Sequence, residues 1–362
     1  MKRLVVCADG TWNIRDQVDR STGRRRPTNV TKVARAVRPR AADGIDQIVY
    51  YHDGIGTSGP LDRITGGAFG RGIESNIRNL YRFIVYNYEA DDELYLFGFS
   101  RGAFTVRSLV GFMNKFGLIE KDDDYYVPEI YACYESSKGL GSPEYVKAFH
   151  NVQGTRPCPP IRFIGVWDTV GALGAPGFVG QIFNRNKYQY HDVGLSLVIQ
   201  NAVQALAIDE RRRPFAPDIW TRPVGWDGQL TQAWFPGVHS NVGGGYTPDG
   251  LANEAPHWVV EQAEHLGLGF DGAYLQHFRP CFNSVLNDSM TLMYRLMCPS
   301  LRTIGKMASS GEAVHQSALD RKSQPDCDYA PQNLEGYLTN AMPVLTVNTA
   351  RVPRGTPCPD FL

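Results

Sequence analysis

Short apolar segments alternate with longer segments of helical periodicity over the first two thirds of the chain. The strand-like segments are five to eight residues long and end at turn or polar residues, namely residues 2–8, 47–51, 93–97, 160–167 and 229–235. Apolar side chains recur at helical spacing in residues 30–37, 73–87, 106–113, 195–207 and 253–266. This alternation predicts an α/β fold in which a mostly parallel central sheet carries helices on both faces.

The other segments are predicted to be loops and insertions of a single domain that covers residues 1–362. Residues 54–72 hold seven glycines in nineteen positions, and residues 120–155 hold five tyrosines, namely Tyr125, Tyr126, Tyr131, Tyr134 and Tyr145. Both segments are predicted to form lids. The tyrosines either face an acyl chain or lipid surface or simply pack a subdomain, and packing is the commoner role. Beyond about residue 270, prolines interrupt the pattern.

Charge and composition argue against several classes of protein. Lys and Arg total 37 and Asp and Glu total 37, whereas a nucleic-acid binder usually carries a basic excess. No apolar run approaches the ~18 residues of a membrane span, and the N-terminal run is too short for a signal-peptide core. The seven cysteines are scattered, so neither a disulfide framework nor a zinc site is predicted. Cytoplasmic synthesis is therefore expected.

The strongest chemical signal is the segment 98–102, which reads Gly-Phe-Ser-Arg-Gly between a predicted strand and a predicted helix. A sharp turn in this position lifts the hydroxyl of Ser100 clear of the sheet, and glycines at both ends let the turn close. The following helix offers N–H groups and the positive end of its dipole to a developing oxyanion. Ser100 is therefore the predicted nucleophile of an α/β-hydrolase fold.

A serine nucleophile needs a base, which an acid orients, and in this fold the three follow the chain order Ser, Asp or Glu, His. Asp168 and His239 each follow a predicted strand, where catalytic groups gather in open α/β sheets. Asp209 is the alternative acid, although an ion pair with the arginines that follow it explains it more simply. The other histidines lie in apparent helices, polar segments or loops, namely His52, His150, His191, His257, His265, His277 and His315.

Acyl transfer also requires hydrogen-bond donors for the oxyanion. The backbone N–H of Arg101 is predicted to be one of them, and Gly10 and Thr11, which follow the first strand, are predicted to supply the second. A simple turn is the alternative role for these two residues. Trp12 and Phe99, which neighbour these donors in sequence, are assigned to substrate binding.

A rival class of enzyme begins in a similar way. Haloacid-dehalogenase-type phosphatases open with a strand and Asp-x-Asp-Gly-Thr, but here Cys7 stands in place of the nucleophilic aspartate before Asp9. That replacement argues against a phosphatase. Asp9, Asp53 and Asp168 could bind a cation, but their spacing does not demand one, and neither a metal nor a cofactor is predicted.

Several long motifs resemble a known family, namely residues 9–13, 28–30, 51–57, 96–103, 166–170, 207–211, 234–246, 315–317 and 329–334. On these motifs, which are spread over nearly the whole chain, the sequence resembles the type VI secretion phospholipase effectors and their stand-alone relatives. The resemblance implies an α/β-hydrolase fold, Ser100, Asp168 and His239 as a triad, and hydrolysis of carboxylic esters, with phospholipids as a substrate class. It departs from the family at Asn241, where an aspartate usually follows His-Ser.

The sequence therefore predicts a serine esterase that acts on a lipid or other ester, touches membrane surfaces peripherally and binds no nucleic acid. Synthesis in the cytoplasm is compatible with export by a signal-peptide-independent secretion system. The alternative is a non-catalytic binding or scaffold protein on a hydrolase fold, since fold alone does not establish activity. Retention of all three triad residues argues against that alternative.

Overall fold

The computed structural model describes residues 1–11, 13–19, 23–54, 66–136, 141–171, 194–296, 299–305, 307–339 and 346–350. Within these ranges it describes only the backbone of residues 66–71, 293 and 308.

Within the described residues, eight strands form the central sheet: β1 (Arg3–Ala8), β2 (Gln47–His52), β3 (Glu93–Phe99), β6 (Ile161–Trp167), β7 (Asn201–Ala207), β8 (Gln229–Phe235), β9 (Glu312–His315) and β10 (Thr346–Val347). Their order across the sheet is β10-β9-β8-β7-β6-β3-β1-β2. Every neighbouring pair is parallel. Two short strands, β4 (Leu118–Ile119) and β5 (Thr155–Arg156), pair antiparallel outside this sheet. The predicted α/β-hydrolase class, with a mostly parallel sheet, is confirmed.

Helices cover both faces of the sheet. Their bounds are α1 (Asn29–Ala36), α2 (Gly66–Asn87), α3 (Arg101–Phe116), α4 (Val127–Glu135), α5 (Pro143–Phe149), α6 (His239–Gly243), α7 (Glu254–Glu264), α8 (Gly272–Leu275), α9 (Leu292–Leu296), α10 (Gln316–Ser323) and α11 (Gln332–Leu338). The apolar stripes of α2 and α3 pack on one face, and those of α1 and α7 pack on the other. Short 3₁₀ turns cover Lys121–Tyr126, Arg213–Phe215, Leu251–Asn253, Ala308–Ser310 and Pro325–Cys327.

Strand β1 shows why the strands of this sheet are apolar on both sides. Leu4 and Val6 face the α2/α3 side, whereas Val5 and Cys7 face the α1/α7 side. All six residues of the strand are buried. A parallel sheet covered on both faces requires continuous apolar runs of this kind.

Two predictions about the elements are wrong, one about the type of an element and one about where a helix begins. Residues 195–207, predicted to be a helix, contain β7, which lies between β6 and β8 in the middle of the sheet. Its apolar residues are buried on both faces, and a short run of this kind resembles a buried helix in sequence. The glycine-rich segment 54–72 was predicted to be a loop, but α2 already begins at Gly66. Residues 55–65 lie outside the described part of the chain.

The described residues of the second predicted lid, 120–136 and 141–155, pack against α2 and α3. Tyr131 and Tyr134 are buried against Phe112, whereas Tyr125 is 62% exposed. The ring contacts with Phe112 and Phe116 lie toward the C-terminal end of α3, away from Ser100. These contacts give most of the tyrosines a packing role, and a role of the segment as a lid stays a prediction.

Two expectations from composition can be compared with the fold. None of the described helices is both long and apolar enough to cross a membrane. Cys281 is disulfide-bonded, which the scattered cysteines did not predict, while Cys7, Cys133, Cys158 and Cys327 are free.

The strand order reverses between β1 and β3, because the chain passes from β1 outward to β2 and then returns to β3 on the other side of β1. In open α/β sheets, ligands bind outside the carboxyl ends of the strands at such a switch point. Ser100 follows β3 directly, and Gly10 lies just beyond β1. The fold thus brings the predicted nucleophile and the predicted oxyanion loop to one crevice.

Candidate active site

Ser100 lies at the turn between β3 and α3 in a backbone conformation that L-residues rarely adopt, with φ 57° and ψ −119°. The turn closes because its flanking glycines lack side chains. A Cβ on Gly98 would lie 2.7 Å from backbone atoms of Gly102 and Ala103, and one on Gly102 would lie 2.1 Å from the carbonyl oxygen of Ala8. Residues in such conformations cost about 1–3 kcal/mol each and cluster at active sites.

The fold brings Ser100, His239 and Asp168 into one hydrogen-bonded chain. Nε2 of His239 lies 2.8 Å from Oγ of Ser100, and Nδ1 of His239 lies 2.5 Å from Oδ2 of Asp168. All three residues are buried. The geometry allows the imidazole to accept the serine proton at Nε2 while the carboxylate accepts the N–H of Nδ1.

Asp168 follows β6 directly, and its carboxylate is engaged on both oxygens. Oδ1 accepts from the Ala207 N–H at 3.1 Å and from Nη1 of Arg302 at 2.5 Å, and Oδ2 accepts from Nη2 of Arg302 at 2.9 Å. Burial alone would raise the pKa of Asp168, but the charge of Arg302 and the hydrogen bonds from His239 and Arg302 hold it well below its usual range. The carboxylate is therefore ionised at any pH at which the protein would work.

His239 is the first residue of α6, and Glu210 holds its backbone. Oε2 of Glu210 accepts from the His239 N–H at 3.2 Å, and the same carboxylate pairs with Arg212. The rings of Phe99 and Phe215 lie 4.7 and 5.0 Å from the imidazole, centroid to centroid. Burial lowers the pKa of His239, against the opposing effect of Asp168. The imidazole is thus neutral at pH 7, as a general base must be.

Asn241, the departure from the family motif, ties α6 to a later segment. Its Oδ1 accepts from the backbone N–H groups of Val238 and Asn287, each at 3.2 Å. Its Nδ2 donates to the side-chain oxygen of Asn287 at 2.9 Å. An amide can make this donor contact and an ionised aspartate cannot, so the asparagine makes neutral contacts that need no cation.

Residues 9–11, the predicted oxyanion loop, lie against the turn at residues 98–102, which we call the elbow, but one predicted donor, the Gly10 N–H, already has an acceptor. The Gly10 N–H donates to Oδ1 of Asp9 at 2.7 Å. Asp9 also accepts from Thr28, Thr31 and Tyr51, so its carboxylate holds the loop to α1 and β2. The hydroxyl of Thr11 is buried without a hydrogen-bond partner in the described part of the chain. The roles of Arg101, Gly10 and Thr11 as oxyanion donors stay predictions.

The two residues assigned to substrate binding have different outcomes. Trp12 lies outside the described residues. Phe99 is 2% exposed, and its ring fills the space beside Gly10, Gly243 and the imidazole of His239. A Cβ on Gly243 would lie 1.8 Å from this ring. Phe99 therefore packs against the imidazole of His239, a contact that sequence reasoning did not predict, and its role in substrate binding stays a prediction.

The alternative acid, Asp209, is not part of the hydrogen-bonded chain. It accepts from the Gly237 N–H at 2.6 Å and from the Tyr329 hydroxyl at 2.9 Å. The predicted ion pair with the following arginines belongs instead to its neighbour Glu210, which pairs with Arg212. Burial raises the pKa of Asp209. Asp209 thus holds the turn that precedes His239.

The carboxylates that could have bound a cation each have other partners. Asp9 is held by hydroxyl groups, Asp53 pairs with Arg15, and Asp168 pairs with Arg302. Among the residues that the structure describes, no group of three or more His, Cys, Asp or Glu side chains could hold a metal ion.

A cavity of about 540 Å³ borders the acid side of the site. Its walls include Glu210, Arg212, Asp218, Arg302 and Glu312. Apolar side chains, among them Pro217, Ile219, Leu301 and Met307, line it together with these charged groups.

Comparison with known proteins assigns the chain to a family. The family model for the catalytic domain of Tle1-like phospholipase effectors of the type VI secretion system matches residues 2–262. The chain belongs to this family. The matched residues include Ser100, Asp168 and His239, and membership supports a hydrolase.

Individual relatives are more distant. The chain is 25% identical over 239 residues to an uncharacterised protein of Saccharomyces cerevisiae, which covers 59% of this chain and 32% of the yeast protein. It is similar to the crystal structure of an uncharacterised protein from Pseudomonas aeruginosa, with 16% identity, a TM-score of 0.48, and coverage of 78% of this chain and 49% of that one. It is also similar to the Tle1 effector bound to the VgrG spike, with 21% identity, a TM-score of 0.35, and coverage of 68% and 51%. The chain thus spans about a third of the yeast protein and about half of each solved chain.

Two residues of this Tle1-like site were missed by sequence reasoning. Arg302 lies 134 positions after Asp168, in a segment without a clear pattern. Glu210 stands in the motif of residues 207–211 without an assigned role. Its position next to Asp209, the alternative acid, could have indicated Glu210. No local signal in the sequence marks Arg302.

We expect the two candidate acids to differ sharply when each is changed to the amide. Asp168→Asn removes the charge that stabilises the imidazolium, with a loss of up to ~10⁴ in kcat for ester hydrolysis. Asp209→Asn, the matched control, keeps an acceptor for Gly237 and Tyr329 and should leave kcat within a few-fold while lowering the melting temperature. Steady-state kinetics and thermal melts of both variants test this. An inactive Asp209→Asn beside an active Asp168→Asn would reverse the assignment.

Proposed function

We propose that this domain is a serine hydrolase that cleaves carboxylic esters, with acyl esters of lipids or phospholipids as its substrate class. The observation that carries the proposal is the hydrogen-bonded chain from Oγ of Ser100 through His239 to Asp168. The lipid substrate is supported by the family, whose members are described as phospholipase effectors. We also propose that the domain contacts membrane surfaces only peripherally and leaves the cytoplasm, where it is synthesised, through a secretion system that uses no signal peptide.

The reaction would proceed in two halves. Oγ of Ser100 attacks the ester carbonyl while Nε2 of His239 takes its proton, and the Arg101 N–H with a donor from Thr11 holds the oxyanion. Collapse of the tetrahedral intermediate expels the alcohol, which receives the proton from His239, and leaves an acyl group on Ser100. Water then attacks the acyl-enzyme with His239 again as base, which releases the acid and restores the serine.

The competing function is a non-catalytic scaffold. A scaffold has no need of a strained serine, a neutral imidazole and an ionised carboxylate in line, and this chain has all three. The two hypotheses differ in one property, because only an activated serine reacts with a fluorophosphonate.

We expect a fluorophosphonate probe to label Ser100. The labelling rate should rise with pH along a single limb, a titration step whose midpoint lies below pH 6.5. The base must be neutral to accept the proton, and burial lowers the pKa of His239 from its ordinary value of about 6.5, so the neutral form persists into more acidic solution. The labelling rate is measured by mass spectrometry from pH 4 to 9. Absence of labelling across this range in folded protein would favour the scaffold, and a limb above pH 7 would contradict the assigned environment of His239.

A further inference from the structure

Arg302 makes more contacts with the acid of the proposed triad than His239 does. Its two Nη atoms contact one oxygen each of Asp168, at 2.5 and 2.9 Å. The same two atoms donate to the backbone carbonyls of Ala207 at 2.9 Å and Phe215 at 2.6 Å. The arginine is 6% exposed and Asp168 is fully buried. A planar fork held at four points fixes both the position and the rotation of the carboxylate.

This arrangement has two consequences for the histidine. The first is geometric: Oδ2 of Asp168 accepts from Arg302 and His239 together, so the direction in which it meets the imidazole is set by the arginine. The second is electrostatic: a carboxylate that shares its charge with a guanidinium stabilises an imidazolium less than a carboxylate without one. The arginine therefore favours an oriented, neutral imidazole.

The other charged groups around His239 do not reproduce this effect. Glu210 and Arg212, which follow β7, act on the ring with opposite signs and pair with each other. Asp168, after β6, is the group in direct contact with the ring, and Arg302, which lies between α9 and β9, reaches it through Asp168. Removal of Arg302 thus leaves the net field of Asp168 on the imidazole stronger.

We propose that Arg302 is a positioning residue of the hydrolase: it fixes the Asp168 carboxylate for His239 and offsets its charge, so that His239 remains a neutral base in acidic solution. The inference rests on the proposed function, because it acts through the same serine, histidine and aspartate.

Two substitutions separate the two roles. Arg302→Met removes the charge, and Arg302→Lys keeps a charge but loses the planar fork. For a soluble short-chain ester we expect Arg302→Met to lower kcat about 10²-fold, the size of effect of a misplaced catalytic group, with KM within a few-fold. In a plot of kcat/KM against pH, the acidic limb, which is the rise that follows deprotonation of His239, should have its midpoint about one pH unit higher. Arg302→Lys should also lower kcat, but its limb should stay near that of the unchanged protein.

Further variants test whether the arginine acts through Asp168. In an Asp168→Asn background, Arg302→Met should cost little more, because the group it positions is already lost. Arg321→Met is the matched structural control, since Arg321 is buried to the same extent and donates to the carbonyls of Phe282 and Ser284. It should lower thermal stability and leave the acidic limb in place.

The experiments distinguish failure of the inference about Arg302 from failure of the proposed function. If the unchanged protein is not labelled by a fluorophosphonate, the proposed function fails and the inference with it. If it is labelled, and folded Arg302→Met keeps the original limb and kcat, the inference alone is overturned. If Arg302→Met does not fold, Arg302→Lys decides, because an unchanged kcat in that variant contradicts a positioning role. Equal losses from Arg302→Met with and without Asp168 would also contradict it.

Discussion

Ser100→Ala is expected to lower kcat for ester hydrolysis by about 10⁶-fold, the size of loss seen when a serine nucleophile is removed. The variant keeps the elbow, since only the hydroxyl 2.8 Å from Nε2 of His239 is removed. The loss should be the same for a short-chain ester and for phospholipid vesicles, because both would be cleaved by one nucleophile. Discontinuous activity assays on both substrates measure the loss of kcat, and circular dichroism verifies that the variant is folded.

The chain offers a matched control on the helix that follows Ser100. Ser108 is a buried serine of α3, and Ser108→Ala should keep activity within a few-fold. Ser100→Gly is a second control, because glycine adopts positive φ without the strain that a side chain adds at this turn. It should be as inactive as Ser100→Ala but at least as resistant to thermal unfolding. Full activity in folded Ser100→Ala would refute the proposed mechanism.

His239→Ala is expected to cost about as much as loss of the serine, because nucleophile and base act as a unit. Addition of a strong chelator at the optimal pH should, by contrast, leave turnover of a short-chain ester unchanged. A serine with its own base needs no Lewis acid, whereas a metal hydrolase loses the ion that activates its water. The pH profile alone does not separate the two mechanisms, because a serine with a histidine base and a metal-bound hydroxide both give a rate that rises with pH. The His239→Ala variant and the chelator together separate them.

His257→Ala is the matched control for this prediction. His257 is as deeply buried as His239 but lies on α7, where its Nε2 contacts the carbonyl oxygen of Phe278. Its replacement should reduce stability and leave kcat nearly unchanged. Activity that a chelator abolishes and a divalent ion restores would show that acidic groups at the strand ends carry the reaction instead of Ser100.

The sequence by itself determined those parts of the protein whose signal is local. The strands 2–8 and 229–235 and the helix 253–266 appear close to their predicted bounds, because burial on two faces or one leaves a clear pattern. The elbow at Ser100 was predicted because the turn itself requires glycines at 98 and 102. The positions of Asp168 and His239 follow from a general property of parallel sheets, whose carboxyl ends share one edge.

Only the tertiary structure decided the features that depend on distant neighbours. Residues 201–207 form a strand because they lie between two others, and their short apolar run does not distinguish a buried strand from a buried helix. Phe99 supports His239 because Gly10 and Gly243 leave room for its ring. Arg302 meets Asp168 across 134 residues, and a pairing over that separation has no period or spacing in the sequence. Its partner is set by the packing of residues 299–305 beside Asp168 and Ala207, which is a property of the folded chain.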